Sequence, residues 1–228
     1  MKIKIFLLKL VPWTAVLMCF VFTWGFWLSK DRQWQGTFDD LSLTIESLKR
    51  QVPISAKYIL LVKELDAASQ GKLSAYQSAE VAREIVTQCY FHQDIGLTPD
   101  KIMAIMERES SFNPEAVSVA KAYGIMQVIE STWLIHADDL GYGRKFDRDL
   151  ALDPIVNVKV GIQEVVRLRQ YWLSEGVDSW LVVYTSYFWG ERNAWQLLRS
   201  KKRAPLPSLE YGKGINDLAN AWKERGIS

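Results

Sequence analysis

The chain has 228 residues, 49% of them apolar, enough for one medium domain with a real core and additional segments. Its 28 basic and 26 acidic residues nearly cancel, and no basic run is long, which argues against a nucleic-acid partner. The two cysteines, Cys19 and Cys89, give no disulfide framework, because Cys19 lies in an apolar N-terminal segment.

Residues 10–29 carry no charge, and about 20 such residues span a bilayer core as a helix. Lys2, Lys4 and Lys9 precede them; Lys30 and Arg32 follow. A cleaved signal peptide is the rival reading, but the bulky exit at Trp24 and Trp27 offers no small-residue cleavage site. Met18 and Phe20 also disfavour a lipid attachment at Cys19. Residues 1–32 are therefore read as an uncleaved N-terminal transmembrane anchor. Lysines and arginines on both sides leave the orientation undecided.

Trp34, Phe38, Leu41, Ile45, Leu48 and Val52 form a short heptad stripe. It fits self-association or a cell-envelope complex through residues 34–52, and equally a helix folded back on its own domain. Pro53 interrupts the stripe, a helix-like pattern resumes over 54–65, and Gly71 marks a stop. Residues 33–72 are read as a juxtamembrane helical connector, and the last domain is set at 73–228.

That domain reads as mainly α. Ala75, Ala79, Ala82, Ile85, Val86 and Cys89 recur at helical spacing after Ser74. Thr98-Pro99-Asp100 starts a second helix, with a capping hydroxyl, a first-position proline and an acid in the first turn. An irregular stretch follows from Asn113-Pro114 to Tyr123-Gly124, and Ser131-Thr132-Trp133 reads as a further helix start. Gly141-Tyr142-Gly143 opens a polar loop reaching Asp149. Asp153-Pro154 caps a helix lined by Val158, Ile162, Val165, Leu168 and Trp172 that ends near Gly176. Residues 180–188 are apolar and aromatic, 199–203 a basic loop, and 214–223 a final helix.

The stretch that carries chemistry is Glu109-Ser110-Ser111-Phe112-Asn113-Pro114. Ile102, Ile105 and Met106 define the buried stripe of the helix before it, and at about 100° per residue Glu109 falls on that stripe. Glu107 points away. A carboxyl held against apolar neighbours loses hydration and its pKa rises, so it can donate a proton near neutral pH. A plain helix-end glutamate facing solvent is the alternative.

The order of short motifs shifts the weight to the first reading. Glu109-Ser110-Ser111-Phe112-Asn113-Pro114 is followed by Ala116 and Ser118, then Gly124-Ile125-Met126-Gln127, then Asp153-Pro154 with Asn157 and Gly161. Over residues 75–220 this resembles the lytic transglycosylase domain of the soluble-lytic-transglycosylase (SLT) type. Pro207 ahead of a last helix containing Tyr211 resembles that domain's end.

The resemblance implies a lysozyme-like fold and peptidoglycan glycan strands as substrate. It implies cleavage between N-acetylmuramic acid and N-acetylglucosamine that leaves a 1,6-anhydro end, without metal or cofactor. Glu109 matches the catalytic glutamate. Ser118 matches a serine near the reacting sugar, where the alternative is a loop serine bonding its own backbone. Gln127 matches the glutamine of the second motif, and Gly124 a position where the backbone approaches closely. Met126 reads as core and Asp153 as a helix cap.

The third motif departs from the pattern. The usual Ala-Tyr-Asn and small turn appear as Val183-Tyr184-Thr185-Ser186-Tyr187-Phe188-Trp189-Gly190. Tyr184 holds the tyrosine position and is expected to bond Glu109. Tyr187, Phe188 and Trp189 either stack on sugar faces or pack the core. Lys121 replaces a usual glycine.

The resulting expectation is a single-pass enzyme of the bacterial inner membrane with its catalytic domain in the periplasm. Two alternatives stay open: a hydrolytic muramidase using a second carboxylate among Asp138, Asp139, Asp147 and Asp149, and a non-catalytic peptidoglycan-binding scaffold.

Overall fold

The computed structural model describes residues 56–199 and 206–228. The expected anchor at 1–32, the stripe at 34–52 and residues 200–203 of the basic loop lie outside the described residues. Among the described residues no helix is long and apolar enough to cross a membrane.

The described residues belong to one compact unit, Ile54–Ser228. Its first helix, α1 (residues 56–69), comes from the segment read as connector. Leu61 and Leu65 of α1 are fully buried in the core. α2 (Ala75–Phe91) begins with a capping box: the Ser74 hydroxyl accepts from the Gln77 backbone, and the Gln77 side chain accepts from the Ser74 N–H. Val81, Ala82, Ile85, Val86 and Cys89 form its buried face. A short 3-10 turn, Gln93–Ile95, leads to α3 (Pro99–Ser110).

Thr98 sits at the N-cap of α3, but its hydroxyl makes no cap bond; it accepts instead from the Lys101 ammonium. Ile102, Ile105 and Met106 are buried, as the helical spacing requires. Two strands of two residues follow, β1 (Ala122–Tyr123) and β2 (Val128–Ile129), paired antiparallel with Ala122 opposite Ile129. Two-residue strands leave no alternation to read, so sequence periodicity passes them by.

α4 (Glu130–His136) and α5 (Arg148–Leu152) are short. Asp147 caps α5 inside the segment expected to be loop, accepting from the Asp149 and Leu150 backbones. Asp153 caps the long α6 (Pro154–Ser174) in the same way, and Pro154 takes the first position, where a missing N–H costs nothing. Val158, Ile162, Val165, Leu168 and Trp172 are all buried on α6. Each apolar side chain fully buried this way contributes about 1.5–3 kcal/mol.

α7 (Trp180–Trp189), α8 (Glu191–Arg199) and α9 (Leu206–Glu224) complete the unit. α9 begins earlier than the apolar spacing at its C-terminal end shows. Tyr211, Ile215, Ala219 and Trp222 form its buried stripe and lie against α3 and α7. α6 in turn packs on α2, α4, α5 and α7. α3 thus packs on α9, and its last residue, Ser110, bonds the Ile125 carbonyl in the β1–β2 turn.

Candidate active site

The end of α3 is built by its own motif. Ser111 and Phe112 adopt left-handed backbone, φ 50° and 58°, and their N–H groups return to the Glu107 and Met106 carbonyls. The Phe112 ring is buried, edge-on to Trp222 at 6.0 Å. Ser110 ties the helix end to the next loop: its hydroxyl donates to the Ile125 carbonyl at 2.8 Å and accepts from the Asn113 N–H at 3.1 Å. The Asn113 side chain closes a turn by accepting from the Glu115 N–H at 3.0 Å. Glu109 is the member of this motif that lines the groove between α3, the β1–β2 region, α7 and α9.

That groove encloses about 620 Å³. α3 contributes Arg108 and Glu109, the β1–β2 region Ser118, Gln127, Val128 and Ile129, α4 and α6 Thr132 and Glu164, and α7 and α9 Tyr187, Phe188 and Tyr211. Burial pushes the Glu109 carboxyl up to about 7, against smaller lowering contributions from the Tyr211 hydrogen bond and the Arg108 charge. The Tyr211 hydroxyl donates to Glu109 Oε1. Burial and the adjacent Glu109 carboxylate hold the Tyr211 phenol far above its usual range, so it keeps the hydrogen it donates. Phe188 stacks on Tyr211, centroids 4.1 Å apart, and fixes the ring. The Arg108 guanidinium lies 5.2 Å from the centre of the same ring. Glu107, on the other side of α3, accepts from the Trp222 indole at 2.7 Å.

Gln127 lies on the groove with left-handed backbone, φ 51°. Its amide nitrogen donates to the Ala116 and Gly124 carbonyls at 3.1 and 2.9 Å. Among the described residues no donor meets its amide oxygen, which is the atom a ligand would find. The Ser118 hydroxyl accepts from the Ala122 N–H at 3.0 Å and also lines the groove, so the backbone-bonding and groove-facing readings hold together.

Gly124 does not line the groove. At φ 75°, a Cβ there would sit 2.4 Å from Asn157 Nδ2 and 2.7 Å from the Ala151 carbonyl. The close approach is to the protein's own core rather than to substrate. Asn157 is fully buried and clamps this turn, accepting from the Met126 N–H at 2.8 Å and donating to the Tyr123 and Ala151 carbonyls. Met126 is core, packed where a Cβ on Gly161 would meet its sulfur at 2.6 Å.

Tyr184 is also away from the groove, and the bond to Glu109 expected of it is made by Tyr211. Tyr184 is buried beside Trp180, near the charges of Asp100 and Arg169. Asp100 lies at the opposite end of α3 from Glu109, a separation of about 14 Å at 1.5 Å per residue. Tyr187, one turn on, does reach the groove, and its hydroxyl donates to the Met126 carbonyl at 2.8 Å. Thr185 is buried and bonds its own helix at the Leu181 carbonyl.

None of Asp138, Asp139, Asp147 and Asp149 lines the groove. The second carboxylate there is Glu164, which the sequence reading did not single out. It lies on the buried face of α6, and its partners His136 and Arg167 are 28 residues away and one turn away. The sequence reading named Tyr211 only as part of the domain's last helix and gave it no role at Glu109.

With this geometry in view, comparisons with known proteins agree. The transglycosylase SLT domain model matches residues 91–206, a little over half of the chain, and the chain belongs to this family. The membrane-bound lytic murein transglycosylase C of Glaesserella parasuis is 38% identical over 86 residues, covering 36% of this chain and 22% of that protein. The protein of the same name from Shigella sonnei is 35% identical over 88 residues, covering 37% of this chain and 23% of that protein. The match thus spans less than a quarter of these relatives' length. Among solved structures, the 70 kDa soluble lytic transglycosylase of Escherichia coli aligns with TM-score 0.51 over 74% of this chain and 29% of that one, at 17% identity. An inactive mutant of the lytic transglycosylase Slt of Pseudomonas aeruginosa aligns with TM-score 0.50 over 75% of this chain and 31% of that one. At such identities the likeness establishes the fold.

Proposed function

We propose that this chain is a lytic transglycosylase that cleaves the β-1,4 bond between N-acetylmuramic acid and N-acetylglucosamine in peptidoglycan, with Glu109 as its single general acid and base. The observation that carries this reading is a carboxyl on a groove, pushed up to about 7 by burial and fixed by the Tyr211 hydroxyl. A residue that gives a proton in one step and takes one in the next works best with a pKa near ambient pH.

In the first step Glu109 protonates the glycosidic oxygen as the C1–O bond breaks and positive charge develops at C1. The substrate's own acetamido oxygen stabilises that centre. Glu109, now ionised, then takes the proton of the C6 hydroxyl as its oxygen closes on C1, which gives the 1,6-anhydro ring and restores the acid. No water is consumed. Gln127 and Ser118 are assigned to holding sugar polar groups, and Tyr187 and Phe188 to the groove wall. Residues 1–32 are assigned to a membrane anchor, in keeping with relatives named membrane-bound, with the domain on the periplasmic face where peptidoglycan lies.

The test is to incubate the full chain with purified peptidoglycan and weigh the released fragments. Fragments one water lighter than hydrolysis products support the proposal. Reducing ends would assign a muramidase instead, and binding without release a scaffold.

A further inference from the structure

Glu164 is a buried carboxylate that reaches the groove and has no part in the chemistry described above. It comes from α6 and lines the same groove as Arg108 and Glu109 of α3. His136 Nε2 and Arg167 Nε both meet its Oε2 at 2.8 Å, and Arg167 Nη2 donates to Oε1 at 2.7 Å. Arg167 is itself braced by Glu191 at 2.5 Å. Burial alone would raise the Glu164 pKa; hydrogen bonds from Arg167 and His136 outweigh it and hold the group below the usual carboxylate range.

A carboxylate so held is a poor base, since a strong base must want the proton it removes. It is, however, a good acceptor. An ionised carboxylate has about four lone-pair sites and no hydrogen to give. The protein donors described here fill two on Oε2 and one on Oε1. The remaining site on Oε1 belongs to a group that lines the groove beside Ile129 and Thr132. Glu109, Glu164 and Tyr187 all line this same groove.

We propose that Glu164 is a sugar-binding residue: its open Oε1 site accepts a hydrogen bond from a hydroxyl or acetamido N–H of the glycan, and His136 and Arg167 hold it aimed at that donor. This rests on the peptidoglycan reading above.

The experiment is steady-state cleavage of soluble, uncrosslinked peptidoglycan strands by the full chain and by Glu164→Gln, with circular dichroism confirming the fold. One charge-assisted bond lost corresponds to about a tenfold rise in KM, with kcat within about twofold and anhydro products unchanged. An unchanged KM in a folded variant overturns the proposal. So does a loss of kcat at constant KM, which would make Glu164 part of the bond-breaking step. Should Glu164→Gln fail to fold, His136→Gln replaces it, because it keeps the two-pronged Arg167 contact and only loosens the carboxylate. A KM rise of about threefold is then expected, and no rise overturns the proposal. Wild-type protein that releases nothing overturns the peptidoglycan reading itself, an outcome distinct from release with an unaltered KM.

Discussion

The hydroxyl of Tyr211 meets the carboxylate of Glu109 across 102 residues of chain, joining the last helix to the end of α3. The bond favours the ionised carboxylate, so it opposes the rise that burial imposes. The acid is thereby kept near neutral pH and not far above it. Replacing Tyr211 with Phe keeps the stack with Phe188 and removes only that donor. The alkaline limb of the activity profile, where Glu109 loses its proton, should move up by about one pH unit. A pH–rate profile of Tyr211→Phe checks this; a limb that stays put or moves down contradicts it.

The same shift governs stability. The native carboxyl titrates at about 7, above the 4.5 of an ordinary glutamate, so between those values the native state holds a proton that the unfolded chain has released. Stability contributed by the protonated group is complete below the unfolded value and is lost as pH rises through the native one. Glu109→Gln cannot ionise and escapes that loss. Its stability relative to wild type should increase between pH 4 and pH 8, on the order of 1–3 kcal/mol. Denaturant melts at the two pH values read the difference directly, and a gap independent of pH would count against the dry carboxyl.

Gly124 serves packing. An alanine there brings Cβ within 2.4 Å of the Asn157 amide and keeps a left-handed φ of 75°. Gly124→Ala should destabilise the unit by about 2–4 kcal/mol and lower activity through displacement of Met126 and Gln127. Thermal unfolding tests it, and an unchanged melting temperature would show that the turn relaxes freely.

Lys121 stands at φ 57°, immediately before β1, in a conformation that costs a side-chain-bearing residue about 1 kcal/mol or more. Its N–H closes a turn on the Ser118 carbonyl at 3.0 Å, so the geometry is fixed. Lys121→Gly should therefore stabilise the protein by up to about 1 kcal/mol, less the entropy that glycine adds to the unfolded chain. Equilibrium unfolding in urea is the check, and a destabilised variant would contradict it.

The helices α2, α3 and α6 and the position of Glu109 were legible because caps and apolar spacing are local properties. Ser74, Asp153-Pro154 and the Ile102–Ile105–Met106 stripe each carry their meaning within one or two turns. The partner of Glu109 was not legible in that way. Tyr184 and Tyr211 are both buried tyrosines, and only the packing of α9 on α3 decides which one reaches the acid. Glu164 was hidden for the same reason, since one of its two partners, His136, comes from another helix. β1, β2 and α5 escaped because elements of two to five residues offer too few positions for a period to show.

The most direct test is to titrate Glu109 itself, following its side-chain carboxyl carbon by NMR in the full chain, with Glu109→Gln to assign the signal. A midpoint near 7 is the result the account predicts. A midpoint near the ordinary glutamate value of 4.5 would mean that water reaches the group freely, and the single-acid mechanism would not stand.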